Sequence, residues 1–298
     1  MSVVSPIRPA ADVGAGDFAM TAADFAAIAE LIYADSGIVL GENKVMLVYS
    51  RVAKRLRALR MTDFGTYCAF VRSPQGGEER GHLLNALTTN VTSFFREKHH
   101  FDHLATTILP PAIQAARRGA RVRLWSSACS SGQEPYSIAL TLLCLMPDAG
   151  SFDIRILATD IDNDILETAR RGVYPRNLAG EIPPDLRRRG IVASNAGPDC
   201  FAMSDDVRAL VAFRTLNLVR TWPMRARFQA IFCRNVMIYL DHETQSQIWA
   251  RMVPLLSDDG ALYIGHSERV CGPAAGLLHL DGITTYRPAD HAPRRGQR

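Results

Sequence analysis

The chain has 298 residues, 47% apolar and 21% charged, with 34 Lys and Arg against 30 Asp and Glu for a net charge of +4. This length accommodates two domains, and the composition excludes disorder for the bulk of the chain. The longest nearly apolar run, Ile138 to Met146, is about half of the roughly twenty residues a membrane span needs. The first twenty residues lack the basic start and apolar core of a secretory signal. Six cysteines without a C-x-x-C pair fit neither a disulfide scaffold nor a zinc ribbon. They predict a reducing, cytoplasmic setting with no metal. A charge of +4 is too weak alone to argue for nucleic acid, but it leaves an anionic partner open.

Met1 to Asp17 is rich in Pro, Gly, Ala and Ser, and a disordered tail is expected over residues 1–20. Thr21 with Asp24 forms a capping-box pattern ahead of Phe25, Ile28, Leu31 and Ile32 at helical spacing, and Gly37 ends that helix. Further helices are predicted over Lys44–Arg60, with Val48, Val52, Leu56 and Leu59 on one stripe, then Asp63–Arg72 and Glu78–Leu87. Residues 21–88 thus read as a small helical domain. Lys44, Arg51, Lys54, Arg55, Arg57 and Arg60 lie in one of its helices without an acid, a face that would attract an acidic surface.

From residue 89 to 287 strands and helices alternate. Strands are predicted over Arg121–Ala128, Asp153–Thr159, Ala209–Thr215, Phe228–Cys233, Ala261–Gly265 and Ile283–Arg287. Helices are predicted over Gln133–Leu145, Asn163–Arg171 and Glu243–Leu256. This alternation implies an α/β fold with a parallel sheet, whose ligands sit at the carboxyl ends of the strands. Residues 173–208 break the alternation. Pro175, Pro183, Pro184 and the turn segment Ser194–Pro198 flank short β-prone pieces, so a β-rich insertion is expected there. Residues 288–298 read as a second tail.

Four segments carry chemistry. In Trp125–Tyr136 a strand runs through small residues into a helix start, where free N–H groups and close backbone approach suit a nucleotide-type ligand. Only Gly132 is present, so neither a dinucleotide fingerprint nor a phosphate loop fits. Glu134 stands where a pyrophosphate loop avoids an acid, and it suits a ligand with a cationic end. Asp160, closing the second strand, is placed for ribose hydroxyls; the plainer reading is that Asp160 or Asp162 caps the next helix. Together they point to an adenosine ligand with a cationic end and no diphosphate, a description that S-adenosylmethionine fits. The seam Thr88–Glu97 reads from the residues alone as a linker whose Phe94 and Phe95 dock in the core. Phe228–Tyr239 is an apolar strand ending in Arg234-Asn235, with Tyr239 just beyond. Cys129, Cys144 and Cys233 read as small apolar packing residues.

TTNVTSFFRE, SSACSSGQEPYSIA, LATDID, IFCRNVMIY and GHSE, in this order, resemble the chemotaxis-receptor glutamate O-methyltransferases of CheR type, over residues 21–287. The resemblance implies a Rossmann-like S-adenosylmethionine-dependent methyltransferase sheet with a small N-terminal all-α domain and an inserted β-subdomain. It implies that Asn90, Thr92 and Arg96 close over the cofactor, which replaces the linker reading of that segment. It further implies that Glu134 holds the methionine end, that Asp160 holds the ribose, that Asn217 and Leu218 border the adenine, and that Arg234 and Asn235 complete the pocket. Arg96 and Tyr239 would orient the substrate side chain. The expected reaction converts S-adenosylmethionine to S-adenosylhomocysteine and a receptor glutamate to its methyl ester. The expected partner is the chemoreceptor cytoplasmic helical bundle, docked by the basic helix Lys44–Arg60, without nucleic acid or membrane insertion. Some family members grip a receptor C-terminal peptide through a glycine-bearing hairpin; the hairpin region Ser194–Met203 lacks the Gly-Leu pair expected after that turn, so recognition of the methylation region alone is expected. The alternatives are an enzyme methylating nucleic acid, a non-catalytic S-adenosylmethionine sensor and a nicotinamide dehydrogenase. The absent D/N-P-P-Y/F signature disfavours the first and the missing glycines the last.

Overall fold

The computed structural model describes residues 17–289, so most of both expected tails lies outside the described residues. The tail expected over 1–20 ends early: Met20 is 2% exposed within an apolar core, and Asp17 pairs with Arg57 at 2.8 Å. Pro288, assigned to the C-terminal tail, closes a strand instead. The chain divides into two compact units, at Thr89/Asn90.

The first unit is helical. Helix α1 (Ala22–Ser36) starts where Thr21 and Asp24 cap each other reciprocally and stops at Gly37, whose φ of 70° is cheap only for glycine. Helices α2 (Val45–Leu59), α3 (Phe64–Arg72) and α4 (Gly77–Leu87) follow. The stripe Val48, Val52 and Leu56 is fully buried with Ile28, Phe64 and Tyr67. Within this core sits one ion pair. Arg55 grips Glu79 with two nitrogens, at 2.8 and 2.5 Å, and the Tyr67 hydroxyl donates to the same carboxylate at 2.8 Å. Burial pushes the Glu79 carboxyl up, but the bonds from Arg55 and Tyr67 outweigh it, and the net pKa is lowered.

The basic run on α2 is therefore only partly a solvated face. Arg51 donates to the carbonyls of Ala86 and Thr88 at 2.6 and 2.5 Å, satisfying the carboxyl end of α4. Arg55 serves Glu79 and Arg57 serves Asp17. Lys44, Lys54 and Arg60 remain exposed.

The second unit opens with a helical segment that has no counterpart in the sequence reading. It consists of α5 (His99–His103), a π turn (Leu104–Ile108) and α6 (Leu109–Arg117). Pro110 and Pro111 have no N–H to give the preceding turn, which explains the interrupted ladder. There follow β1 (Val122–Ser126), α7 (Gln133–Leu145), β2 (Ile154–Asp160) and α8 (Asn163–Arg171). The insertion holds β3 (Val173–Pro175), α9 (Pro184–Gly190), β4 (Ile191–Ala193), β5 (Cys200–Met203) and α10 (Asp205–Ala209). Its strands form a separate antiparallel sheet, β3-β5-β4. The Phe94 ring meets Tyr174 of this sheet edge-on at 5.0 Å. The main sheet resumes with β6 (Val211–Thr215), β7 (Phe228–Cys233), α11 (His242–Met252), β8 (Leu256–Ile264), β9 (Leu278–Gly282) and β10 (Thr285–Pro288).

The main sheet runs β6-β2-β1-β7-β8-β10-β9. Five strands are parallel, but β10 pairs antiparallel with both β8 and β9, so the sheet is mixed. Helix α11 stops four residues before the predicted end, because Pro254 enters a short 3-10 turn (Val253–Leu255). Chain order reverses between β1 and β7, and that switch point opens a crevice at the strands' carboxyl ends.

Candidate active site

At the end of β2, the Asp160 side chain is nearly buried. It accepts the Ser130 N–H at 2.8 Å and the Asp162 N–H at 3.1 Å. Burial pushes its carboxyl up more than these bonds pull it down. A carboxylate offers about four acceptor positions, so Asp160 keeps capacity for hydroxyl donors from a ligand. The capping task belongs to Asp162, whose Oδ1 accepts the N–H groups of Asp164 and Ile165, at 2.9 and 3.1 Å. Its Oδ2 accepts the Asn90 amide at 2.8 Å, while the Asn90 carbonyl accepts the Ser130 hydroxyl at 3.0 Å. Asn90 thereby ties the loop after β1 to the loop after β2. Ser130 holds a φ of 49°, and Gly132 a φ of 96° where a Cβ would stand 3.0 Å from Ala169 Cβ. Close packing of this loop on α8 accounts for the glycine.

The second cluster lies at the ends of β1 and β7. Ser126 closes β1 and donates to Glu134 Oε1 at 2.7 Å. Arg234 follows β7 and donates to Glu134 Oε2 at 2.9 Å. The same guanidinium lies 3.1 Å from Glu97 and donates to the Arg96 carbonyl. Its side chain is 2% exposed and lies over the Phe101 ring, 5.9 Å from its centroid. Glu97 also accepts the backbone N–H of His266 at 3.2 Å. Burial raises the Glu97 carboxyl, but Arg234 and His266 outweigh it and bring the pKa down to about 2. For Glu134 the balance is opposite: burial wins over Arg234 and Ser126, and its pKa is raised. Two carboxylates, the buried Glu134 and the half-buried Glu97, thus share one guanidinium, a formal surplus of one negative charge that suits a cationic group.

Three donor atoms of Glu97, His99 and His100 lie within 4.8 Å of one another. Arg234 and His266 already take up both Glu97 oxygens, so the guanidinium occupies the cation's role there. His100 is fully buried, and burial together with Arg234 pulls its pKa down to about 3.

The other sequence-named residues lie in the segment before α5 and on the loops that follow β6 and β7. The backbone of Asp160 accepts the Leu216 N–H at 2.9 Å, joining β2 to the loop that carries Asn217 and Leu218. The Asn217 side chain accepts the Val219 N–H at 2.9 Å, and the buried Leu218 offers its carbonyl to Arg251 at 2.6 Å. The Arg96 guanidinium donates to the Val91 carbonyl at 3.0 Å, so Arg96 gives the Arg234 cluster its backbone only. Thr92 and Tyr239 are half-buried, and Asn235 takes a left-handed φ of 58°. A cavity of about 170 Å³ lined by Leu140, Leu143, Leu186 and Val207 contains none of these residues.

Sequence reasoning gave no role to Ser126, Glu97, His266 or Glu268. The motifs FFRE and GHSE contained three of them, but their partners lie far along the chain.

Family comparison decides between the readings this geometry allows. Residues 23–88 match the CheR methyltransferase all-alpha domain, and residues 90–281 match the CheR methyltransferase SAM binding domain. The chain belongs to the CheR methyltransferase family. A probable chemotaxis protein methyltransferase of Rhizobium etli is 49% identical over 86% of this chain and 96% of its own length. Chemotaxis protein methyltransferase 2 of Pseudomonas aeruginosa is 41% identical over 94% and 98%. The chemotaxis protein methyltransferase of Escherichia coli is 42% identical over 90% of each chain. As a CheR methyltransferase the chain is an enzyme, and the crevice described above falls within its SAM-binding domain.

Proposed function

We propose that this enzyme methylates glutamate side-chain carboxylates in the cytoplasmic bundle of chemoreceptors, giving glutamate methyl esters for sensory adaptation. The observation that carries this reading is the surplus of negative charge at Glu97–Arg234–Glu134, next to an Asp160 with acceptor capacity to spare. This donor set fits S-adenosylmethionine, which has ribose hydroxyls, a cationic amino acid end and no phosphate. When bound, S-adenosylmethionine supplies an electrophilic methyl on a sulfonium and leaves as S-adenosylhomocysteine.

Each residue then has a task. Asp160 accepts ribose hydroxyls. Glu134 and Arg234 hold the amino acid end, with Asn235 beside them. Asn217 and Leu218 border the adenine, and Asn90, Thr92 and Arg96 close the pocket. Arg96 and Tyr239 orient the attacking carboxylate. No general base is needed, since a glutamate with a free pKa of about 4.3 is already ionised at neutral pH. Catalysis is then positioning and removal of water from the nucleophile. Orienting groups must hold the carboxylate loosely, because tight ground-state binding lowers KM without raising kcat.

The exposed Lys44, Lys54 and Arg60 complement an acidic receptor helix. In the insertion, the turn joining β4 to β5 spans Ser194–Asp199. That short turn supports recognition of the methylation region without a receptor C-terminal tether. Among the described residues no helix is long and apolar enough to cross a membrane, and we place the enzyme on the cytoplasmic side with its substrate.

The test is transfer of labelled methyl from S-adenosylmethionine to receptor cytoplasmic fragments, read as methanol released by alkali. Alkali-labile label, lost in Asp160→Ala, is expected. Alkali-resistant label would point to nitrogen methylation, and absence of label across a panel of receptors would favour a sensor that binds without turnover.

A further inference from the structure

Three residues assigned to the reaction, Arg234, Asn235 and Tyr239, ride on the loop that leaves β7. The left-handed Asn235, followed by the turn Met237–Tyr239, aims three successive N–H groups at one point. The Glu268 carboxylate stands at that point. One oxygen accepts the N–H groups of Val236 and Met237 at 2.9 and 2.8 Å. The other accepts those of Asn235 and Gly265, at 3.0 and 2.6 Å. Glu268 is 3% exposed. The loops after β7 and β8 meet so closely that a Cβ on Gly265 would stand 2.9 Å from the Asn235 nitrogen. This explains the glycine three residues before the acid.

We propose that Glu268 is a positioning residue for methyl transfer. Resting on the proposed reaction, the inference adds that Glu268 acts through the loop backbone, fixing the direction in which Tyr239 leaves it. Two other anchors make this separable from simple stability. The Arg234 guanidinium is held by Glu97 and Glu134, whatever Glu268 does. The Gln245 amide holds the carbonyls of Met237 and Leu240, each at 2.9 Å. Loosening the Glu268 clamp leaves the charge cluster intact and leaves the turn that carries Tyr239 tied by Gln245 alone, so Tyr239 shifts without loss of the fold.

Glu268→Gln keeps the shape but turns one acceptor oxygen into a donor facing N–H donors. A misplacement of about 1 Å can cost a hundredfold in rate. The expected result is kcat lower by about 30- to 100-fold, with S-adenosylmethionine affinity by calorimetry within threefold of wild type. Amide exchange measured by mass spectrometry should rise more than tenfold for residues 235–237, with β1 and β7 still protected. Gly265→Ala, which keeps the carboxylate but forces the loops apart, should show the same split. The inference is overturned by kcat within threefold of wild type in Glu268→Gln. It is equally overturned if cofactor affinity and strand protection fall together with kcat, the mark of a merely structural residue. If the wild-type enzyme transfers no methyl, the reaction reading fails, and unchanged exchange at 235–237 in Glu268→Gln would still refute the clamp.

Discussion

Two arginine–carboxylate clusters among the described residues, Arg55–Glu79 and Glu97–Arg234–Glu134, differ in how their charges balance. In the helical unit Arg55 grips the Glu79 carboxylate, to which the Tyr67 hydroxyl also donates. Burial would raise Glu79, yet its partners outweigh burial and the pKa falls. In the sheet unit Arg234 faces two carboxylates, and Glu134 stays raised by burial in spite of its partners. The first cluster is closed and serves the fold. The second carries a deficit that the protein alone does not fill, which is what a site for a cationic ligand requires.

Arginine removal should separate the two most strongly. Arg234→Met leaves the buried Glu134 and the half-buried Glu97 without that cation, and breaking such a pair costs about 3–5 kcal/mol of stability. We expect a large fall in thermal midpoint together with loss of measurable S-adenosylmethionine binding. Arg55→Met should destabilise on a similar scale by calorimetry yet leave cofactor affinity untouched. Asp160→Ala comes next. It removes charge-assisted hydrogen bonds to the ligand worth roughly 1.5–3 kcal/mol, so cofactor Kd should rise about 10- to 150-fold, with a smaller fall in thermal midpoint than in Arg234→Met.

The two carboxylates on Arg234 should also respond differently to acid. Glu97 titrates near 2 in the folded state against an ordinary 4.5. A depressed carboxylate pKa stabilises the fold above the unfolded value, and that stability is lost as pH falls from about 4.5 toward 2. Glu134 has the opposite sign: its raised pKa makes the fold relatively more stable as pH falls. Denaturant unfolding followed through this window should show stability falling with acid in the wild type. The slope should be flatter in Glu97→Gln, and an unchanged slope would contradict the assignment. The smallest effect belongs to the exposed basic face. Charge reversal at Lys44, Lys54 and Arg60 should raise KM for receptor fragments several-fold at low salt, with kcat unchanged and the difference fading as salt is added.

Elements with local causes were legible in the sequence. Thr21, Asp24 and Gly37 delimit α1 as their chemistry predicts, and the apolar runs of β1, β2 and β7 lie where expected. The segment His99–Arg117 escaped because Pro110 and Pro111 hide a helix that bulges around them. Strand β8 begins earlier than predicted, since a bulge against β7 breaks its alternation. Asp160 and Glu134 drew notice because one closes a strand at its ligand-facing end and the other stands where a pyrophosphate loop avoids an acid. Glu97 and Glu268 were not. Glu97 depends on a left-handed φ of 56° and on an arginine 137 residues away, and Glu268 on backbone amides of a loop 33 residues away. No local pattern announces such partners.

The most direct measurement compares Glu134→Gln with Glu79→Gln, by S-adenosylmethionine calorimetry and thermal unfolding on the same samples. If the deficit at Arg234 is the cofactor's cation site, Glu134→Gln weakens binding at least tenfold at nearly unchanged stability, while Glu79→Gln loses stability and binds normally. A Glu134→Gln enzyme that binds S-adenosylmethionine like wild type but unfolds several degrees earlier would make both clusters structural and contradict the account.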